Sequence, residues 1–218
     1  MVNILRTEDL GKQFEMAVCL AYNIPYIGKY KYGLDKPTEL VPRVKKIKQY
    51  FPDCTHTAQK GSQYDFTSSD MKHLSVKSTK KVGMIAPQVI GQASIPKFCE
   101  MFDIKFVNNI TLKEWIQTNI KIVLRKCEQY TFDFPILYYN NKTKTMKYIT
   151  KKNDIDWDKF DFTFSRDHTT WKNSTLIKTN VSIAEMQFHT KTRKNIVFRW
   201  KFEEIIKMGT SYFDIIEL

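Results

Sequence analysis

Apolar residues recur at helical spacing from the start of the chain: Leu10, Phe14, Val18 and Ala21 follow one another down to Tyr22, behind a Thr7 cap and the first-turn acids Glu8 and Asp9. This pattern predicts an amphipathic helix, with Glu15 just beside its apolar stripe. The stretch PTELVPRVKKIKQYF predicts a second, carrying Leu40, Val44, Ile47 and Phe51 on one side and Arg43, Lys45, Lys46 and Lys48 on the other. Pro42 has no amide proton to donate, so it must lie within the first turns of that helix.

The pattern then changes period. KGSQYDFTSSDMKHLSVKSTKK holds two short runs, neither long nor periodic enough for a helix, around the turn-forming SSD, and predicts a β-hairpin. Helical spacing returns in APQVIGQASIPKFCEMF, weakened by Gly91 and Pro96. It is strongest in TLKEWIQTNIKIVLRKCEQY, where Trp115, Ile116, Ile120, Val123, Leu124 and Cys127 form one broad stripe. Beyond Tyr130, FPILYYN, the turn-like NKTK and MKYITK predict a second hairpin. VSIAEMQFH, TKTRKN and IVFRWKF predict a third, closed by a short helix in FEEIIKM before Gly209. Residues 153–180 are aromatic and polar without a period and receive no assignment; Trp157 and Trp171 read equally as core or as stacking surface. No internal repeat or low-complexity linker marks a boundary, so the chain reads as a single domain of α/β (α+β) class spanning 1–218.

Composition narrows the function. With 42% hydrophobic residues over 218 positions the chain can bury one sizeable core, and Lys+Arg exceed Asp+Glu by 35 to 23, which makes a polyanion the first partner to consider. A solvated Lys-rich surface would give the same balance. No run approaches the ~18 uninterrupted apolar residues of a membrane span, and MVNILRTEDLGKQF lacks the order of a signal peptide, so no membrane and a cytoplasmic location are expected. The four cysteines form no C-x-x-C pair and the histidines are scattered, which argues against zinc and disulfides and for reduced, buried thiols.

The candidate chemistry lies in the first hairpin. Ser75 and Lys77 are two apart and so share one face of a strand, and Asp65 stands on the partner strand. A carboxylate is a hard oxygen ligand suited to Mg²⁺, and a nearby lysine can orient or deprotonate an attacking water, a combination fitted to phosphodiester hydrolysis. Asp65 and Lys77 would equally suit a surface cross-strand ion pair, and Glu15 a solvated helix position. Asp53, in FPDC, is the rival acid. Asp65 is preferred because a short hairpin delivers it to the lysine, whereas Pro52-Asp53 reads as a turn.

Asp65 followed by Ser75-Val76-Lys77 resembles the PD-(D/E)xK nuclease superfamily, whose core sets an aspartate at the start of one strand and an acid-x-lysine triplet on the next. Ser75 stands where the second acid would be, as neutral residues do in some small type II restriction endonucleases. Glu15 in GKQFEMAV matches the helix-borne glutamate of the superfamily in kind and place, and STKKVGMIAPQVIGQ looks like the segment that follows the catalytic lysine. The resemblance covers roughly residues 8–100. It implies a mixed β-sheet core flanked by helices with an additional hairpin for DNA recognition, a catalytic core over about 8–130 and a strand-rich recognition part over about 131–218. It further implies Mg²⁺, with Mn²⁺ as a substitute, held by Asp65, Glu15 and the backbone carbonyl of Val76, with Ser75 and Lys77 assisting. The products would carry 5′-phosphates. Symmetric cutting implies a homodimer, some small relatives acting as monomers, and a cognate methyltransferase would share the recognition site.

For the DNA, the polar alternation Glu185, Gln187, His189 in the third hairpin suits a two-stranded ribbon in the major groove. Gln187, His189, Arg193, Asn195 and Arg199 are expected at base edges, Lys191 and Lys194 at phosphates, and Glu185 as an acceptor. An antiparallel pair with its wet side outward would alternate in the same way. Near the first hairpin, Gln59, Lys60, Ser62, Ser78, Lys80 and Lys81 are candidates for positioning the backbone. The sequence therefore points to a sequence-specific double-stranded DNA endonuclease. A repair or structure-selective nuclease of the same fold and a non-catalytic nucleic-acid-binding protein are the alternatives.

Overall fold

The computed structural model describes residues 7–58, 62–80, 83–190 and 193–218. In chain order these form α1 (Thr7–Tyr22), α2 (Asp35–Val44), β1 (Thr55–His56), β2 (Phe66–Thr67), β3 (His73–Thr79), β4 (Met84–Ile85) and α3 (Ile95–Met101). There follow α4 (Asn109–Thr118), α5 (Ile120–Phe132), β5 (Ile136–Asn140), β6 (Thr145–Lys151), β7 (Thr163–Phe164), β8 (Ser174–Lys178), β9 (Ser182–His189), β10 (Asn195–Lys201), α6 (Phe202–Ile206) and β11 (Phe213–Glu217). The expected class is borne out: one sheet is mixed, the other antiparallel, and helices accompany them. Among the described residues no helix is long and apolar enough to cross a membrane.

The chain divides into two compact units, one made of 1–83, 134–152 and 213–218, the other of 84–133 and 153–212. Each unit draws on separated segments, the first because β5, β6 and β11 complete the sheet begun by β1–β3.

In the first unit the strands run in the order β1-β2-β3-β5-β6-β11, with β3 and β5 parallel and the other pairs antiparallel. Side chains alternate across β3: Leu74 and Val76 join Leu137, Tyr139, Met146 and Tyr148 in a core closed by Leu10, Phe14 and Val18 of α1 and Leu40 and Val44 of α2. His73, Ser75 and Lys77 consequently face the other side. The basic edge foreseen for the second helix is partly committed to the fold. Arg43 donates through Nε and Nη2 to the Leu218 carbonyl, at 3.0 and 2.8 Å, and through Nη1 to that of Lys144. The helix ends at Val44 and continues as a tighter turn over Lys45–Gln49.

In the second unit β4-β10-β9-β8-β7 form an antiparallel sheet. Residues 86–102 are less helical than their spacing suggests. Val89 takes a φ of +59° and Gly91 approaches Ala86 and Pro87 so closely that a Cβ added there would lie within about 3 Å of both, which leaves a short 3₁₀ turn at Ile90–Gln92 before α3. The strong stripe of 111–130 is broken once, at Asn119, into α4 and α5. The tryptophans of the unassigned stretch turn out to be core: Trp157 and Trp171 are both fully buried. Glu128 fixes the first of them, accepting from Trp157 Nε1 at 2.7 Å and from the Ile155 amide at 3.0 Å. All four cysteines are free and buried, and burial pushes the thiols of Cys19 and Cys54 up to about 12.

Candidate active site

The hairpin of β2 and β3 is held at its tip by Ser68, whose amide donates to the Lys72 carbonyl at 2.9 Å, with Met71 in the left-handed region at φ +62°. Asp53 belongs to this turn. Its two carboxylate oxygens accept from the Ser69 amide at 2.7 Å and the Ser69 hydroxyl at 2.8 Å, so the rival acid pins the hairpin tip and does not meet the lysine.

At the other end the register Phe66↔Leu74 sets Asp65 directly opposite Ser75. The Asp65 amide donates to the Leu74 carbonyl at 3.0 Å, and the Asp65 carbonyl accepts from Thr57 at 2.9 Å, so its backbone is held from both sides. Beyond this point none of the described residues pairs with the β3 backbone on that edge, and the Asp65 side chain takes over: Oδ2 accepts the Val76 amide at 2.6 Å and lies 3.4 Å from Ser75 Oγ and 3.7 Å from Lys77 Nζ. The three predicted residues do converge. Lys77 and Asp65 side chains are only 11% and 14% exposed, and Ser75 is buried, which shields their charges from bulk water.

A strand residue's N–H and C=O point to the same edge. The Val76 amide faces Asp65, so the Val76 carbonyl opens on that edge as well. The oxygens gathered there are one carboxylate, one carbonyl and one hydroxyl, a hard donor set. Mg²⁺ binds through one or two carboxylates and keeps several waters, so this set fits it. Among the described residues no group of three or more His, Cys, Asp or Glu could hold a metal by itself.

Glu15 is placed elsewhere. It rides on α1, on the side of the sheet that carries His56, Phe66 and Leu74, and accepts from Lys12 Nζ at 3.0 Å and Tyr26 Oη at 3.2 Å. His56 Nδ1 accepts from the Ile27 amide at 2.8 Å, which puts the ring proton on Nε2, 3.5 Å from Glu15. Burial pushes the Glu15 carboxyl up, but the Nε2–H of His56 and the hydrogen-bonded Lys12 ammonium outweigh it and hold the group below its ordinary value. The resemblance could place Glu15 by its position in the helix but not by the face of the sheet it would reach, and nothing in the sequence pairs it with His56.

Of the backbone-positioning candidates, Gln59, Lys60 and Lys81 lie outside the described residues. Ser62 is spent locally, donating to the Tyr64 carbonyl at 2.6 Å. Ser78 faces Gly11 of α1, away from Lys77; Lys80 follows β3 at its end and is half-buried.

In the second unit, pairing aligns Glu185 with Arg199, Gln187 with Val197 and His189 with Asn195, so the polar residues do share one half-buried face. The third hairpin is present as β9 and β10, with β9 also paired to β8 and β10 to β4, so both strands are interior to a five-stranded sheet. Pairing both edges satisfies backbone groups that a lone ribbon would leave open. Arg193 and Lys194 are exposed in the turn, while Lys191 lies outside the described residues.

No protein-family model matches the chain, and no solved structure does so. Over 217 residues it is 40% identical to the type II restriction enzyme CviAII of Paramecium bursaria Chlorella virus 1. The match covers 97% of this chain and 63% of that relative, so the chain spans just under two thirds of the relative's length.

Proposed function

We propose that the protein is a Mg²⁺-dependent, sequence-specific double-stranded DNA endonuclease of the type II restriction kind, with a PD-(D/E)xK site in which Ser75 replaces the second acid. The observation that carries this reading is the convergence of Asp65, Lys77 and the open edge at Val76 on one face of a hairpin. The similarity to CviAII supports it independently.

In this reading Asp65 and the Val76 carbonyl hold the metal, for which Mn²⁺ substitutes. The bound ion supplies Lewis-acid polarisation of a phosphoryl oxygen and a lowered pKa for bound water. Lys77 holds and orients the attacking water through its ammonium, and Ser75 steadies Asp65 through its hydroxyl. The water oxygen forms the new bond to phosphorus as the bond to the 3′ oxygen breaks, leaving 5′-phosphate and 3′-hydroxyl ends. Exposed Arg193 and Lys194 and the face of Glu185, Gln187, His189, Asn195 and Arg199 contact the DNA. Cutting both strands of a palindrome calls for a homodimer, and a methyltransferase of the same specificity would protect host DNA.

The test is to incubate the purified protein with long duplex DNA in Mg²⁺ and in EDTA, alongside Asp65→Ala and Lys77→Ala. Discrete fragments from the wild type in Mg²⁺ alone, lost in both variants, are expected. A smear would favour a structure-selective or repair enzyme. Equal cutting by all three proteins would remove the site, and salt-sensitive binding with no cutting would make the chain a non-catalytic binder.

A further inference from the structure

The segment between α1 and α2 contains YIGKYKYG, in which tyrosines alternate with lysines. Residues 23–34 carry Lys29 and Lys31 and no acid. Each tyrosine hydroxyl is tied inward: Tyr26 donates to Glu15 Oε2 at 3.2 Å, Tyr30 to the Gly33 carbonyl at 3.0 Å, and Tyr32 to Asp9 Oδ1 at 2.7 Å. The rings meet edge to face, Tyr26 with Tyr30 and Tyr30 with Tyr32, both at 5.4 Å between centroids. They are half-buried, whereas Lys29 and Lys31 are exposed, with Lys31 Nζ 5.8 Å from the Tyr32 ring centre. A row of rings anchored by their polar ends, with exposed ammonium groups between them, is preorganised for a strand that offers phosphates and sugars in turn.

Its position matters as much as its composition. The Ile27 amide donates to His56 at 2.8 Å, and the next residue, Thr57, donates to the Asp65 carbonyl at 2.9 Å. The loop therefore lies against β1, the edge strand beside the strand that leads out of Asp65. We infer that the Tyr26–Tyr32 loop is a nucleic-acid contact, in which Lys29 and Lys31 hold phosphates of the strand that flanks the phosphate at Asp65 while Tyr30 and Tyr32 pack against its sugars. Glu15 and His56 anchor the loop beside the site, which gives the helix glutamate a positioning role. This inference rests on the nuclease reading above.

The experiment measures duplex binding by fluorescence anisotropy across a salt series, with Asp65→Asn in every protein to prevent cutting. Two phosphate contacts contribute a slope of about 1.8 in log affinity against log salt, at ~0.9 each. The double variant Lys29→Gln, Lys31→Gln is expected to be shallower by about that amount. A control double variant, Lys105→Gln, Lys172→Gln, changes the net charge equally at exposed lysines elsewhere and should keep the original slope. Tyr30→Ala should weaken binding several-fold at an unchanged slope. Equal slopes for the loop and control variants, or a loop variant that binds like its parent, would overturn the inference and leave the nuclease reading standing. Wild-type protein that neither binds nor cuts duplex DNA would overturn both.

Discussion

The carboxylate of Asp65 accepts the backbone amide of Val76 at 2.6 Å, eleven residues along the chain and two positions past Leu74, the last residue of β3 paired with β2. A side chain thus continues the ladder where β2 stops contributing. The same contact brings the acid to Lys77, so structural and chemical roles meet in one group.

Those roles can be separated. Asp65→Asn keeps an oxygen for the Val76 amide and loses the charge, so cutting should fall to background while the melting temperature stays near wild type. Asp65→Ala leaves a buried N–H unpaired and should cost about 1–3 kcal/mol in addition, read by urea denaturation.

Lys77 is a single ammonium 3.7 Å from Asp65 in a cramped, mostly covered position. Lys77→Met keeps the length of the stem without the charge and should abolish cutting with little loss of DNA affinity. Cleavage under single-turnover conditions, set beside binding of the same duplex, checks this. Wild-type cutting by Lys77→Met would exclude the lysine from the chemistry.

Glu15 makes stability depend on acid. Its pKa is lowered from 4.5 in the folded state, so its contribution is complete above about pH 4.5 and is lost as the pH falls through the lower folded value. Denaturation midpoints measured on descent below pH 4.5 should drop more steeply for the wild type than for Glu15→Gln.

Glu128 is buried and accepts two hydrogen bonds from groups that have no water to turn to. Glu128→Ala strands the Trp157 indole and the Ile155 amide and should cost several kcal/mol, at about 1–3 for each unpaired group. A denaturation curve followed by tryptophan fluorescence gives the value.

The thiols of Cys19 and Cys54, pushed up to about 12 by burial, should not react with a disulfide reagent in the native protein at neutral pH. All four cysteines should react once it is unfolded.

Local patterning determined much of this protein. The spacing of Leu10, Phe14 and Val18 is enough to specify α1, and the turn chemistry of Ser68–Asp70 with flanking alternation is enough to specify the hairpin, because each depends on residues within a turn or two. The pairing of Asp65 with Lys77 was legible for the same reason: a hairpin relates its arms by sequence distance alone. Only the tertiary structure decided where the rival acid goes: Asp53 is claimed by Ser69 at the hairpin tip. It also decided that Glu15 lies on the opposite face of the sheet, that β9 and β10 are interior strands, and that the unpatterned tryptophans are core. Those facts depend on pairings between segments distant in the chain, which no local periodicity encodes.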